Sequence, residues 1–383
     1  MTIAEMLAEP VAAGEMAGAV TLVWRDGQVL DASAVGWADI ESRTPLARDS
    51  LFRIASMSKP VTSVAALMLM EEGRLALDEP ITSWAPEFGE MRVLREADGA
   101  LDDTVPAQRQ ITFEDLLTHR AGVTYGDFHA GPIKAAYDAA LGASIDSHLT
   151  PDAWVARLAA LPLIAQPGEA FCYGHSTDLL GFLIARIEGA PLGEVLARRI
   201  FRPLGMVDTD FIVSLGKRAR RAAMHGFDAE GRLTKLATVP GGAALAERPD
   251  DMTYEGGGAG LWSTVDDYAT FARLFVGGGA VDGVRLLRPE TIDQIFEVQC
   301  EGPDLVLAQH PIRWGLGFGL PNESIPYVPD EKICFWGGWG GSWETMNPDR
   351  RTTIAYVMNR MGAGIEGSER TDRYFRLIYD ALS

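Results

Sequence analysis

Between Ser56 and Glu72 the chain carries Val61, Val64, Ala65, Leu67, Met68 and Met70, which together leave almost no face of a helix polar. A helix apolar on most faces has to lie inside a protein, and Gly73 marks where this one stops. Whatever the chain folds into is built around that segment. Any polar side chain at its start is carried into an interior poor in water. The start reads Ser56-Met57-Ser58-Lys59-Pro60. Pro60 falls in the first turn, where its missing N–H costs little, although it disfavours helical geometry at Lys59.

The rest of the chain places strands toward both ends. A short amphipathic helix is expected over 2–14, then a hairpin of Ala19 to Trp24 and Val29 to Gly36 around Asp26-Gly27. From about 75 to 250 the pattern is helical (112–118, 151–160, 176–189, 191–200) with Gly/Pro-rich loops between. Strand signals return at Arg313 to Leu320, Lys332 to Trp336, Ser342 to Asn347 and Thr352 to Asn359, and a last helix is expected over 370–382. A regular β-α-β alternation is absent, so the expectation is an α+β protein with one antiparallel sheet assembled from both chain ends. Residues 1–74 and 252–383 would form that α/β part, and 75–251 a mainly helical inserted domain.

Composition removes several function classes. A net charge of −19 argues against nucleic acid and against anionic membrane surfaces. No stretch approaches 18 uninterrupted apolar residues. Cys172, Cys300 and Cys334 are odd in number and widely spaced, and the N-terminus has acids where a signal peptide needs bases, so a cytoplasmic location is expected. The six histidines (119, 129, 148, 175, 225, 310) show no ligand spacing, and there is no P-loop, dinucleotide fingerprint or G-x-S-x-G elbow. Neither a metal nor a cofactor is expected. The oligomeric state stays open, a homo-oligomer included.

Lysine occurs only at positions 59, 134, 217, 235 and 332. Ser56 and Lys59 form an S-x-x-K, and three residues along a helix set the two side chains on one side about a turn apart. A second S-x-x-K at Ser214 to Lys217 holds a Gly and runs into Lys217-Arg218-Ala219-Arg220-Arg221, a solvated face. In the first pair, burial disfavours the ammonium and the helix N-terminus favours negative charge on an attacking Ser56. A serine can become a nucleophile this way without histidine. The rival reading is a capping serine followed by a lysine that reaches solvent. Tyr173, in Phe171-Cys172-Tyr173-Gly174-His175-Ser176, is a candidate proton relay. Trp336-Gly337-Gly338-Trp339-Gly340-Gly341-Ser342-Trp343 lies between two strands, and its glycines permit close backbone approach to a ligand, so a main-chain N–H there and that of Ser56 are candidate oxyanion donors.

S-x-x-K, a central Tyr and a late Gly-Gly strand motif, in that order, resemble the serine β-lactamase and penicillin-binding superfamily, in particular its class C branch. Leu116-Leu117-Thr118-His119, Arg202-Pro203-Leu204-Gly205-Met206, Gly260-Leu261-Trp262-Ser263-Thr264 and Trp314-Gly315-Leu316-Gly317 add to the likeness. Where that superfamily usually starts its third motif with Lys or His, this chain has Trp336, and so resembles the family VIII carboxylesterases. The resemblance implies a serine β-lactamase-like fold and an esterase for neutral short- to medium-chain esters. It also implies Ser56 as nucleophile, Lys59 and Tyr173 as acid and base, and the amides of Ser56 and Trp339 around the oxyanion. Its alternatives are a β-lactamase, a D-aminopeptidase or an acyltransferase. Trp336, Gly337, Gly338, Tyr125, Phe128, His175 and Trp343 are the expected substrate-binding residues. His175 stands where β-lactamases carry Asn.

Overall fold

The computed structural model describes residues 2–142, 145–236, 252–307, 310–322 and 331–360. Its main sheet has ten strands. Four come early: β1 (Gly18–Arg25), β2 (Gln28–Asp31), β3 (Ala34–Asp39) and β4 (Thr44–Pro45). Six come late: β5 (Cys300–Leu307), β6 (His310–Trp314), β7 (Gly319–Leu320), β8 (Cys334–Gly338), β9 (Ser342–Asn347) and β10 (Thr352–Met358). The order β5-β6-β7-β8-β9-β10-β1-β3-β4, with β2 also on β1, is antiparallel at every pairing. The two chain ends meet where β1 pairs with β10, Ala19 opposite Met358 through Arg25 opposite Thr352. This is the serine β-lactamase-like α/β fold.

Helix α1 (Ile3–Ala12) opens with a capping box between Thr2 and Glu5 and lays Ile3, Met6 and Leu7 against one face of the sheet, beside Ile354, Tyr356 and Met358. The opposite face meets α5 (Val265–Val276), whose Val265 and Ala269 pack on Val20, Leu22, Ala355 and Val357. Beyond α5 lies α2 (Ser58–Glu71), with 11 of its 14 residues buried, as its composition requires. The same apolar core takes in α3 (Phe113–Leu117) and α4 (Ser176–Glu188), so α2 is enclosed on all sides.

Several elements differ from expectation. The second hairpin strand is interrupted at Ala32-Ser33, giving β2 and β3. The run 313–320 splits into β6 and β7 because Gly315 bonds back to Phe318 and Gly317, at φ +87°, packs on Ser63 of α2, where a Cβ would lie 2.1 Å from Ser63 Oγ. Strand β5 and the helices Gly131–Leu141 and Val265–Val276 lacked clear sequence signals. The expected helix over 370–382 lies outside the described residues. Among the described residues no helix is long and apolar enough to cross a membrane.

Candidate active site

Ser56 occupies a single 3₁₀ turn, Ala55–Met57, that runs directly into α2. The chain enters this turn through Ala55 at φ +46°, left-handed backbone that residues with a Cβ avoid. Such strain survives only where the surroundings over-determine it. Here β8 supplies the clamp: a Cβ on Gly338 would lie 2.3 Å from the Ile54 carbonyl oxygen, so only glycine lets the strand end press against the turn.

One turn on, the Lys59 side chain is fully buried. Its Nζ lies 3.3 Å from Ser56 Oγ, 3.1 Å from Tyr125 Oη and 2.9 Å from the Gly258 carbonyl. The carbonyl can only accept, so one N–H is committed there. The two hydroxyls can each accept or donate, so both lie within proton-exchange distance of Nζ.

Gly258 is fixed from below. Its N–H donates to Asp178 Oδ1 at 2.8 Å, and the other Asp178 oxygen faces His175 Nδ1 at 3.0 Å. Both side chains are 2% exposed. His175 therefore sits among the rings of Tyr125, Tyr137 and Trp154 and orients Asp178, rather than lining an open pocket. Tyr125, expected as a pocket wall, brings its hydroxyl to Lys59. Burial, with Asp178 adding to it, pushes its phenol well above the ordinary 10, so it stays protonated.

Tyr173 arrives on a segment that runs against residues 119–125. The Cys172 N–H donates to the His119 carbonyl at 2.7 Å, and Thr124 Oγ1 donates to the Tyr173 carbonyl at 3.2 Å. Gly174 makes the crossing possible, since a Cβ there would lie 2.2 Å from the Thr124 carbonyl carbon. The Tyr173 ring faces Lys59, with Nζ 4.6 Å from its centroid, and meets Tyr125 edge-on at 5.8 Å. Behind it lies His119, 4.7 Å from Tyr173 between ring centroids and also against Phe171 and Trp314. Burial, then the Lys59 charge, holds this imidazole well below its ordinary 6.5, so it is neutral. Motif spacing gave His119 no role. The buried position was the missing signal.

The third segment divides between the two faces of the sheet. Trp336 is buried edge-on against Trp314 at 4.5 Å and tilted against Tyr173 at 5.4 Å. Trp339, in the turn after β8, packs on Ile145, Met224, Ala259 and Leu236. The amides of Ser56 and Trp339 take part in none of the turn and loop hydrogen bonds among the described residues. Gly337 stands opposite Trp343 in the β8–β9 ladder, one residue out of phase with Trp336. Trp343 consequently stacks on Phe335 and donates to Thr345 Oγ1 at 3.0 Å on the α1 face, away from Ser56. Phe128, 56% exposed, stands at the rim with its ring 5.8 Å from Tyr125 and 6.1 Å from Tyr173. The second S-x-x-K is a surface feature: Leu215 is 80% exposed and Lys217 pairs with Asp208 at 2.8 Å.

Residues 3–377 match the Beta-lactamase family along nearly the whole chain. The chain belongs to the Beta-lactamase family. Within it, Protein Rv1367c of Mycobacterium tuberculosis is 41% identical over 360 residues, spanning 90% of this chain and 86% of that protein. Esterase EstB of Burkholderia gladioli is 35% identical over 355 residues, spanning 86% and 82% respectively. Among solved structures, EstCE1, described as a hydrolase with promiscuous acyltransferase activity, superposes with a TM-score of 0.82 at 26% identity, covering 99% of this chain and 97% of that one. The Beta-lactamase-family members that this chain resembles thus include esterases and acyltransferases, as the motif order implied.

Proposed function

We propose that this protein is a serine carboxylesterase acting on short- to medium-chain neutral esters. One observation carries the reading: a buried lysine amine 3.3 Å from the hydroxyl of a serine in a strained turn. Ser56 Oγ attacks the ester carbonyl carbon and its proton passes to the Lys59–Tyr173 pair. The carbonyl oxygen becomes an oxyanion held by the backbone N–H groups of Ser56 and Trp339. Collapse breaks the C–O bond to the alcohol, which leaves with the returned proton. Water then attacks the acyl-Ser56 carbonyl and loses its proton to the same pair, and collapse breaks the bond from the acyl carbon to Ser56 Oγ, which takes that proton back as the acid leaves. Tyr125, held protonated, orients Lys59 and does not act as base.

The preference for neutral substrates rests on Trp336. An indole there offers apolar surface and no positive charge for a substrate carboxylate. EstB is named an esterase and EstCE1 is described as a hydrolase, which supports hydrolysis of an ester bond.

The test compares turnover of p-nitrophenyl butyrate and nitrocefin, with intact-mass detection of Ser56 labelling by a fluorophosphonate. Butyrate turnover should dominate, and labelling should vanish in Ser56→Ala yet persist in Ser214→Ala. A strong preference for nitrocefin, or labelling that survives Ser56→Ala, would sink the reading. Adding a competing alcohol then separates hydrolysis from acyl transfer through the same acyl-enzyme.

A further inference from the structure

Three residues before Ser56 stands a buried arginine. Arg53, in the two-residue strand Phe52–Arg53 that pairs antiparallel with Trp262–Ser263, is 9% exposed, and its Cζ lies 5.9 Å from the Trp262 ring centroid. Its Nη1 donates to Asp146 Oδ2 at 2.7 Å and its Nη2 to Asp146 Oδ1 at 2.9 Å, a two-point clasp between side chains that are 6% and 2% exposed. Such a fork fixes an angle as well as a distance. It joins positions 93 apart in the chain.

Asp146 is flanked by two further anchors. Ile145 enters the buried cluster with Met224 and Ala259 against which Trp339 packs. Ser147 Oγ donates to the Leu141 carbonyl at 3.0 Å, which ties the segment to the end of the helix Gly131–Leu141. The main chain of Arg53 reaches the turn that carries Trp339: a Cβ on Gly340 would lie 3.5 Å from the Arg53 carbonyl oxygen. The clasp therefore connects the strand leading into Ser56 with the segment that packs on Trp339. A buried ion pair adds little net stability, because lost hydration offsets the attraction. What it supplies here is geometry.

We propose that Arg53 and Asp146 are a positioning pair that, through Ile145, holds the Trp339 turn where its amide and that of Ser56 meet the same oxyanion. The two amides sit on separate elements, one at the entry to α2 and one after β8, so no backbone continuity sets their spacing. Gly338 sets how closely the elements approach at Ile54. The clasp adds orientation.

The inference rests on the assignment of those two amides to the oxyanion, and its test is read on Ser56. The measurements are the rate of fluorophosphonate labelling by intact mass, a thermal melt of each variant, and kcat and KM on p-nitrophenyl butyrate. Arg53→Met and Asp146→Leu each leave one buried charge unpaired and should melt below the wild type. The double variant replaces the clasp by apolar side chains and should recover most of that loss. It should still label about tenfold more slowly, with kcat lowered and KM within about twofold of the wild type. Recovery of the melt without the rate is what a merely structural ion pair would not give. Ile145→Ala keeps the clasp and should slow labelling to a similar extent. Combining all three substitutions should be no slower than the double variant, since they interrupt one path.

Labelling that recovers together with the melt in the double variant, wild-type labelling in Ile145→Ala, a raised KM at unchanged kcat, or losses that multiply in the triple variant would each overturn the proposal. If the double variant does not melt cooperatively, Arg53→Lys decides. It keeps the charge and loses the fork, so slower labelling supports the pair and wild-type speed overturns it. Failure of the esterase reading looks different: the wild type would label at Ser56 without hydrolysing p-nitrophenyl butyrate, and the labelling comparisons would still stand.

Discussion

Gly338 and Ile54 touch through their backbones, closely enough that a Cβ on Gly338 would overlap the Ile54 carbonyl oxygen at 2.3 Å. The last residue of a central strand is thereby pressed against the turn that carries the nucleophile. Neither side chain contributes, and the contact exists because one of them is a hydrogen atom.

Gly338→Ala should accordingly push β8 and the turn apart. Misplacement of this kind near the chemistry lowers rates by up to about a hundredfold. We expect kcat on p-nitrophenyl butyrate to fall by ~10- to 100-fold with a melting temperature lowered by a few degrees. Unchanged kcat in a folded variant would show that the approach is not needed.

Ala55 offers the opposite experiment. Left-handed backbone costs a residue with a Cβ about 1–2 kcal/mol, whereas glycine in the unfolded chain costs about 0.5–1 kcal/mol of entropy. Ala55→Gly should therefore be neutral or stabilising by up to ~1 kcal/mol in denaturant unfolding. Ala55→Val, β-branched at φ +46° and beside Gly338, should lose more than ~2 kcal/mol. A Val variant as stable as the Gly variant would refute the strained turn.

The two tyrosines near Lys59 should separate kinetically. Tyr125→Phe leaves the ring and removes the hydroxyl 3.1 Å from Nζ, a loss of about 1–2 kcal/mol, or roughly tenfold in kcat at nearly constant KM. Tyr173→Phe removes a group assigned to proton transfer and should cost ~10²- to 10⁴-fold. Equal losses in the two variants, measured by steady-state kinetics, would undo the division of roles.

Glu344, buried on β9, makes stability depend on pH. Its folded pKa lies above the unfolded value near 4.5, so the folded protein holds a proton that the unfolded chain has released at neutral pH. That contribution is complete below about 4.5 and is lost as pH rises toward the folded value. Glu344→Gln removes the ionisable group while keeping the side chain's shape. Its melting temperature relative to the wild type should rise steadily between pH 5 and pH 8. A flat difference across that range would mean that Glu344 is charged in the folded state.

Much of the site was legible in the chain itself. An S-x-x-K opening an apolar helix requires that serine and lysine share one buried side, and Ser56 and Lys59 do so. Position 125 was readable only as apolar bulk, because a hydroxyl pointing at Lys59 arises from the crossing of 119–125 with 168–175, which Gly174 permits. The role of His175 was out of reach for the same kind of reason: its partner, Asp178, is three residues away, but the burial that couples them to Gly258 comes from α4 and its aromatic neighbours. Trp343 was placed beside the site by proximity in sequence. Strand alternation sends it to the α1 face, because it stands opposite Gly337 and not Trp336.

The sequence by itself determined the buried helix, the serine and lysine at its start, and the assembly of one sheet from both chain ends, because these follow from local periodicity and from residue spacing. Tertiary structure alone decided which tyrosine bonds the lysine, how Asp178 and Gly258 hold that lysine, and how Asp146 comes to clasp Arg53. Those relations join residues tens to hundreds of positions apart. They depend on backbone approach distances and on removal from water, neither of which is a property of any short stretch of chain.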